Sequence, residues 1–112
     1  MRSSNAGEPI PLRRGLRPMH PGELLREDVI PHLEATRAEI VEALGISRIT
    51  LNRLERGAGR VDADLAVKLG KLVGNGPELW LNLQSAYDLS QAKVRLAAQV
   101  ARIPTLKRRD AA

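Results

Sequence analysis

The 112-residue chain has no cysteine and no phenylalanine, and only one tryptophan, one tyrosine and two histidines. Without cysteine there is neither a disulfide framework nor a thiolate metal site, and folding needs no oxidising compartment. No apolar run approaches the roughly 20 residues of a membrane span, and the N-terminus carries no signal-like apolar stretch. A cytoplasmic location is therefore expected. Strand-like alternation is missing, so β structure is not expected. No glycine-rich phosphate loop is present; Gly57-Ala58-Gly59 is a connector. His20 and His32, each beside a proline, share no face with further ligands, so neither a metal nor a cofactor is expected. Nothing pairs a nucleophile with a base, which argues against an enzyme.

The length allows one domain with flanking tails. The formal net charge is +5, but it is unevenly spread. Residues 1–18 hold four arginines against Glu8, a net of +3, and residues 93–112 hold six Lys/Arg against Asp110, a net of +5. Residues 19–92 are left at −3, so a case for an anionic partner rests on a local patch and not on bulk basicity. Residues 1–18 mix Gly, Pro, Ser and Arg without period and read as a disordered arm. Met19 opens the periodic part and is a candidate start residue. Residues 93–112 read as a basic extension, with a helical pattern over the first ten until Pro104 stops it. There is no internal repeat.

Between the tails, residues 19–92 read as five helices. The first opens at Pro21, with Glu23 at its positive end, buries Leu24, Leu25 and Val29, and ends at Pro31. The second is capped by Thr36 with Glu39 three residues on, buries Ile40, Val41 and Leu44, and stops at Gly45. Ser47 caps the third, which ends before Gly57. The fourth runs from about Asp62 to Val73, burying Leu65, Ala66, Leu69 and Leu72, and closes at Gly74. The fifth opens at Pro77 and carries Leu79, Trp80, Leu83, Ala86 and Tyr87. Trp80, Leu83 and Tyr87 form one stripe, either core or part of a two-fold interface. A domain this small gains from dimerisation, because it buries only about 60% of its unfolded surface.

Gly45-Ile46-Ser47 joins the second helix to the third with the spacing of a helix-turn-helix unit, whose second helix enters the DNA major groove. At about 100° per residue, Leu51 and Leu54 share one side of the third helix. Ile49, Asn52, Arg53 and Arg56 fall opposite, with Arg48 on the N-terminal flank. Arg48, Ile49, Asn52 and Arg53 are the base-edge candidates: arginine pairs with guanine, asparagine with adenine, and isoleucine meets a thymine methyl. Thr36, Arg37 and Ser47, at the two helix starts, and Arg56 and Arg60 are the phosphate candidates.

Four segments carry a family resemblance: MHPGELLRED at 19–28, ALGISR at 43–48, DADLAVKLGKLVG at 62–74 and PELWLNLQSAYDL at 77–89. The chain from Met19 to about Ala92 resembles the HigA family of antitoxins, a branch of the Xre-type helix-turn-helix regulators. The helix-turn-helix is generic to the wider class; the opening and closing segments together are far more specific. Residues 1–18 and the long basic tail depart from the family pattern. The resemblance implies an all-α, five-helix, lambda-repressor-like domain with flexible tails. It also implies a homodimer that binds double-stranded operator DNA, represses its own operon, and neutralises a small basic HigB-like toxin that cleaves mRNA. Glu23, Glu27 and Asp28 read as a solvated face whose charge would suit such a toxin. The rival readings are a stand-alone regulator and an adaptor that has lost DNA binding.

Overall fold

Pro31 decides how the first helix ends. The computed structural model describes residues 12–13 and 17–109. In it the first helix, α1 (Pro21–Leu24), widens into a π-helical turn over Leu25–Val29, where the N–H of Ile30 returns to Leu25 O. A 3₁₀ turn over Ile30–His32 follows, with Pro31 in its first turn, and the chain leaves at Leu33 in extended conformation. Pro31 thus sits inside the helical segment and does not close it, a correction to the expected stop. Proline has no N–H to return one turn back, so the α ladder cannot pass it unchanged. One residue on, the carbonyl of Asp28 accepts from the His32 ring, Nδ1 at 2.7 Å.

The remaining helices are α2 (Arg37–Leu44), α3 (Arg48–Glu55), α4 (Ala63–Val73), α5 (Pro77–Arg95) and α6 (Ala97–Ala101). α5 runs through residue 92, and a break at Leu96 separates it from the short α6, which buries no residue. Beside the helices, Leu12–Arg13 (β1) pairs antiparallel with Arg17–Pro18 (β2), in register Leu12 with Pro18, and β2 packs against α5. Two residues per strand are too few for alternation to register in a sequence. The remainder of the expected disordered arm, residues 1–11 and 14–16, lies outside the described residues.

One apolar cluster holds the helices together: Leu25, Ile40, Leu44, Leu51, Leu54, Val61, Ala66, Leu69 and Trp80 are all buried, with half-buried Leu24, Val29, Val41, Ile46, Leu65 and Leu72 packed round it. Trp80 and Leu83 are closed inside the protomer, and the indole N–H donates to Asn75 Oδ1 at 3.0 Å. Gly22 lets α1 cross α3 at backbone distance, since a Cβ there would lie 1.7 Å from Leu54 O. Among the described residues, no helix is long and apolar enough to cross a membrane.

Candidate nucleic-acid interface

Two capped helices and a left-handed glycine set the geometry of the site. Thr36 Oγ1 accepts from Glu39 N at 3.1 Å while Glu39 Oε1 accepts from Thr36 N at 2.8 Å, a complete capping box at the start of α2. Gly45 follows α2 at φ 69°, a conformation that carries little penalty only without a Cβ. The N–H of Ile46 then returns to Val41 O, and the half-buried Ile46 side chain packs on the core. Ser47 Oγ accepts from Thr50 N at 3.0 Å and opens α3.

Leu51 and Leu54, 0% and 2% exposed, fix the inner side of α3. Ile49, 71% exposed, and the exposed Arg48, Asn52, Arg53 and Arg56 lie on the other side. Among the described residues, Arg48, Arg53 and Arg56 have no ion-pair partner. Arg53 makes only a long contact, 3.4 Å, to Ala58 O. A large apolar side chain held in water between unpaired guanidinium groups is an arrangement suited to groove contact.

The phosphate candidates divide. The hydroxyls of Thr36 and Ser47 are occupied as caps, so the groups these helix starts offer an anion are backbone N–H groups of the first turn. Arg56 stands exposed as the C-terminal cap of α3. Arg60 is bridged to Asp88 Oδ2 at 2.8 Å, which raises the arginine pKa and holds the Asp88 carboxyl below its ordinary value. Arg37 is also engaged, by Glu55 and Asn52. Tyr87, half-buried, packs edge-on against the His20 ring at 4.9 Å between centroids.

Three supporting residues escape the sequence analysis. Glu55 sits on the inner side of α3, and the one signal for it is position: four residues after Leu51, an acid on an apolar stripe. Gln84, buried, accepts from Val61 N at 2.7 Å and donates to Asp88 Oδ1 at 3.0 Å, which links the α3–α4 connector to α5. His20 caps α1, its Nδ1 accepting from Gly22 N at 2.8 Å, while Nε2–H donates to Gly59 O at 3.0 Å. With Nδ1 as acceptor the ring is neutral, and burial lowers its pKa. Both histidine rings are thus bonded within the fold, and among the described residues no cluster of three metal-ligating side chains forms.

No family model matches the chain. It is 38% identical over 79 residues to Antitoxin HigA-1 of Vibrio cholerae, covering 70% of this chain and 74% of that one. Its fold is similar to that of the Pseudomonas aeruginosa antitoxin HigA solved with the higBA promoter, with a TM-score of 0.73, 34% identity, and coverage of 81% of this chain and 100% of that one. Antitoxin GraA, solved in complex with its operator, superposes with a TM-score of 0.74 at 37% identity, over 87% of this chain and 99% of that one. With 38% identity over 70% of its length to a HigA antitoxin, the chain belongs to the HigA family of antitoxins.

Proposed function

We propose that the protein is an antitoxin that binds operator DNA as a homodimer, represses its own operon, and neutralises a co-encoded small basic toxin of the mRNA-cleaving HigB type. The observation that supports it most is the outer face of α3, where Arg48, Ile49, Asn52 and Arg53 stand exposed on a helix anchored by Leu51 and Leu54. Arg48 and Arg53 offer forked donors to guanine, Asn52 an amide, and Ile49 an apolar contact to a thymine methyl. Arg56 and the first-turn N–H groups of α2 and α3 hold phosphates and set the register. Trp80 and Leu83 are enclosed, so a two-fold contact would draw on exposed apolar residues such as Leu89 and Val94 of α5. In that dimer two α3 helices lie one DNA turn apart, about 34–36 Å.

The toxin half is tested by expressing the neighbouring small reading frame from an inducible promoter, with and without this protein, and following growth. Arrest that the protein relieves, with the two chains co-purifying, supports the antitoxin reading. A harmless neighbour, or arrest without relief, leaves a stand-alone regulator. A footprint on the upstream DNA, with protected major grooves one turn apart, tests the operator half separately.

A further inference from the structure

The sequence expectation gives Arg37 to a phosphate, but its guanidinium is engaged inside the fold. Nη2 donates to Glu55 Oε1 at 2.5 Å and Nη1 to Glu55 Oε2 at 3.2 Å, a two-pronged pair between the start of α2 and the end of α3. Nη2 also donates to Asn52 Oδ1 at 2.8 Å. The pair is held in place because Glu55 is 9% exposed and its carbonyl accepts from Arg26 Nη1 at 2.9 Å. Arginine has donors only, so the Asn52 atom facing it must be the oxygen. An unrestrained asparagine amide can turn over and offer either its oxygen or its NH₂ to a base. Here turning over would set an NH₂ against a guanidinium, donor against donor.

We infer that Arg37 is a positioning residue for sequence specificity: it locks the Asn52 amide so that the NH₂ group is the one turned toward the groove. An NH₂ in that place reads a base-edge acceptor, which is a purine N7, guanine O6 or thymine O4. It rejects the amino groups of adenine N6 and cytosine N4 at the same point. Specificity then comes partly from an amide prevented from adapting, an exclusion as well as an attraction. The inference rests on the proposed operator binding. It moves Arg37 from the phosphate contacts to the support of a base contact.

Fluorescence anisotropy on duplexes from the upstream DNA, carrying each of the four base pairs at every position, tests it. Asn52→Ala identifies the base pair concerned, as the position where preference disappears. The full-length protein should prefer acceptor edges there by roughly tenfold. Arg37→Lys keeps a cation beside Glu55 but lacks the planar fork that serves two partners. It should retain the melting temperature, the salt slope and the preferences elsewhere, while preference at the Asn52 position falls below about threefold. Full preference in Arg37→Lys overturns the inference. So does Arg37→Met, if it weakens every duplex alike and lowers the salt slope by about 0.9, as removal of a phosphate-binding cation would. Both of those outcomes leave wild-type operator binding intact. Failure of the wild-type protein to prefer any duplex overturns the operator reading and this inference with it.

Discussion

α3 and the C-terminal extension both present arginines to water, and they differ in what stands behind the charge. Arg48, Arg53 and Arg56 project from a helix whose other side is pinned by Leu51 and Leu54, with Arg37 and Glu55 bracing its C-terminal half. Lys93, Arg95, Arg102, Lys107, Arg108 and Arg109 lie on a stretch in which every residue from 93 to 109 is exposed and α6 buries nothing. Fixed charge can be matched to base edges atom by atom. Unanchored charge contributes counterion release, which is indifferent to sequence. The number of cations therefore says less about recognition than the number of buried residues beneath them.

The most severe way to break the contrast is to remove the support of the anchored region. Trp80→Ala empties the largest side chain of the core and removes the indole N–H bond to Asn75, and it should cost about 3–5 kcal/mol. For a domain of this size that lowers the melting temperature by roughly 12 °C or more, measured by circular dichroism. An unchanged melting temperature would mean that the indole is not a core group. Above its transition the variant should keep only weak, salt-sensitive DNA binding carried by the tail.

Arg53→Ala takes one proposed reading group from the anchored face without touching the core. Preference at one base pair of each half-site should fall by about 1–3 kcal/mol, with the melting temperature unchanged. Equal weakening on all sequences would put Arg53 on the backbone and not on a base. Truncation after Leu96 makes the opposite cut, removing Arg102, Lys107, Arg108 and Arg109 and, among the described residues, nothing buried. The salt slope should fall by about 0.9 for every phosphate that the extension neutralises, and the ratio of specific to non-specific affinity should stay constant. A slope that survives the truncation would show that the extension is not a DNA arm, and a collapsed ratio would erase the contrast with α3.

The parts of this arrangement that are legible in the sequence are those governed by local rules. Thr36 with Glu39, Gly45, Ser47, and Asp62 with Gly74 mark helix ends through hydrogen bonds a few residues long, and the structure has helix boundaries at each of them. The buried leucines follow from a period of 3.6. What the sequence does not show is which polar groups meet across elements. Arg37 looks like any helix-start cation until α3 brings Glu55 and Asn52 to it from 18 and 15 residues away. Arg60 looks free until α5 supplies Asp88, and Val61 joins the core only because Gln84 satisfies its N–H. The ending of the first helix departs from expectation for a related reason. Proline forbids one hydrogen bond, and whether the chain stops or shifts its ladder depends on neighbours such as the His32 ring.

The gentlest probe acts on the tie between the start of α1 and the connector that follows α3. His20, 6% exposed, accepts from Gly22 N through Nδ1 and reaches Gly59 O through Nε2. Burial lowers its pKa from the ordinary 6.5; the Gly59 carbonyl, Asp88 and Glu23 oppose the shift, and Arg60 assists it. Because the folded state holds the proton less firmly than the unfolded state, the stability linked to His20 is complete above about pH 6.5. It is lost as the pH falls through the lower, folded value. Protonation would set Nδ1–H against the Gly22 N–H and open the cap. Asp88, also lowered, gives its own dependence only below its ordinary 3.8, outside this window. The melting temperature should therefore drop between pH 7.5 and pH 5.5. In His20→Asn the drop should be shallower, since asparagine can still cap α1 but has no charge to acquire. Equal slopes in the two proteins would remove His20 from the account. A shallower slope would show that the anchored region has an acid-sensitive joint of its own, one that the extension, with no titrating histidine, does not share.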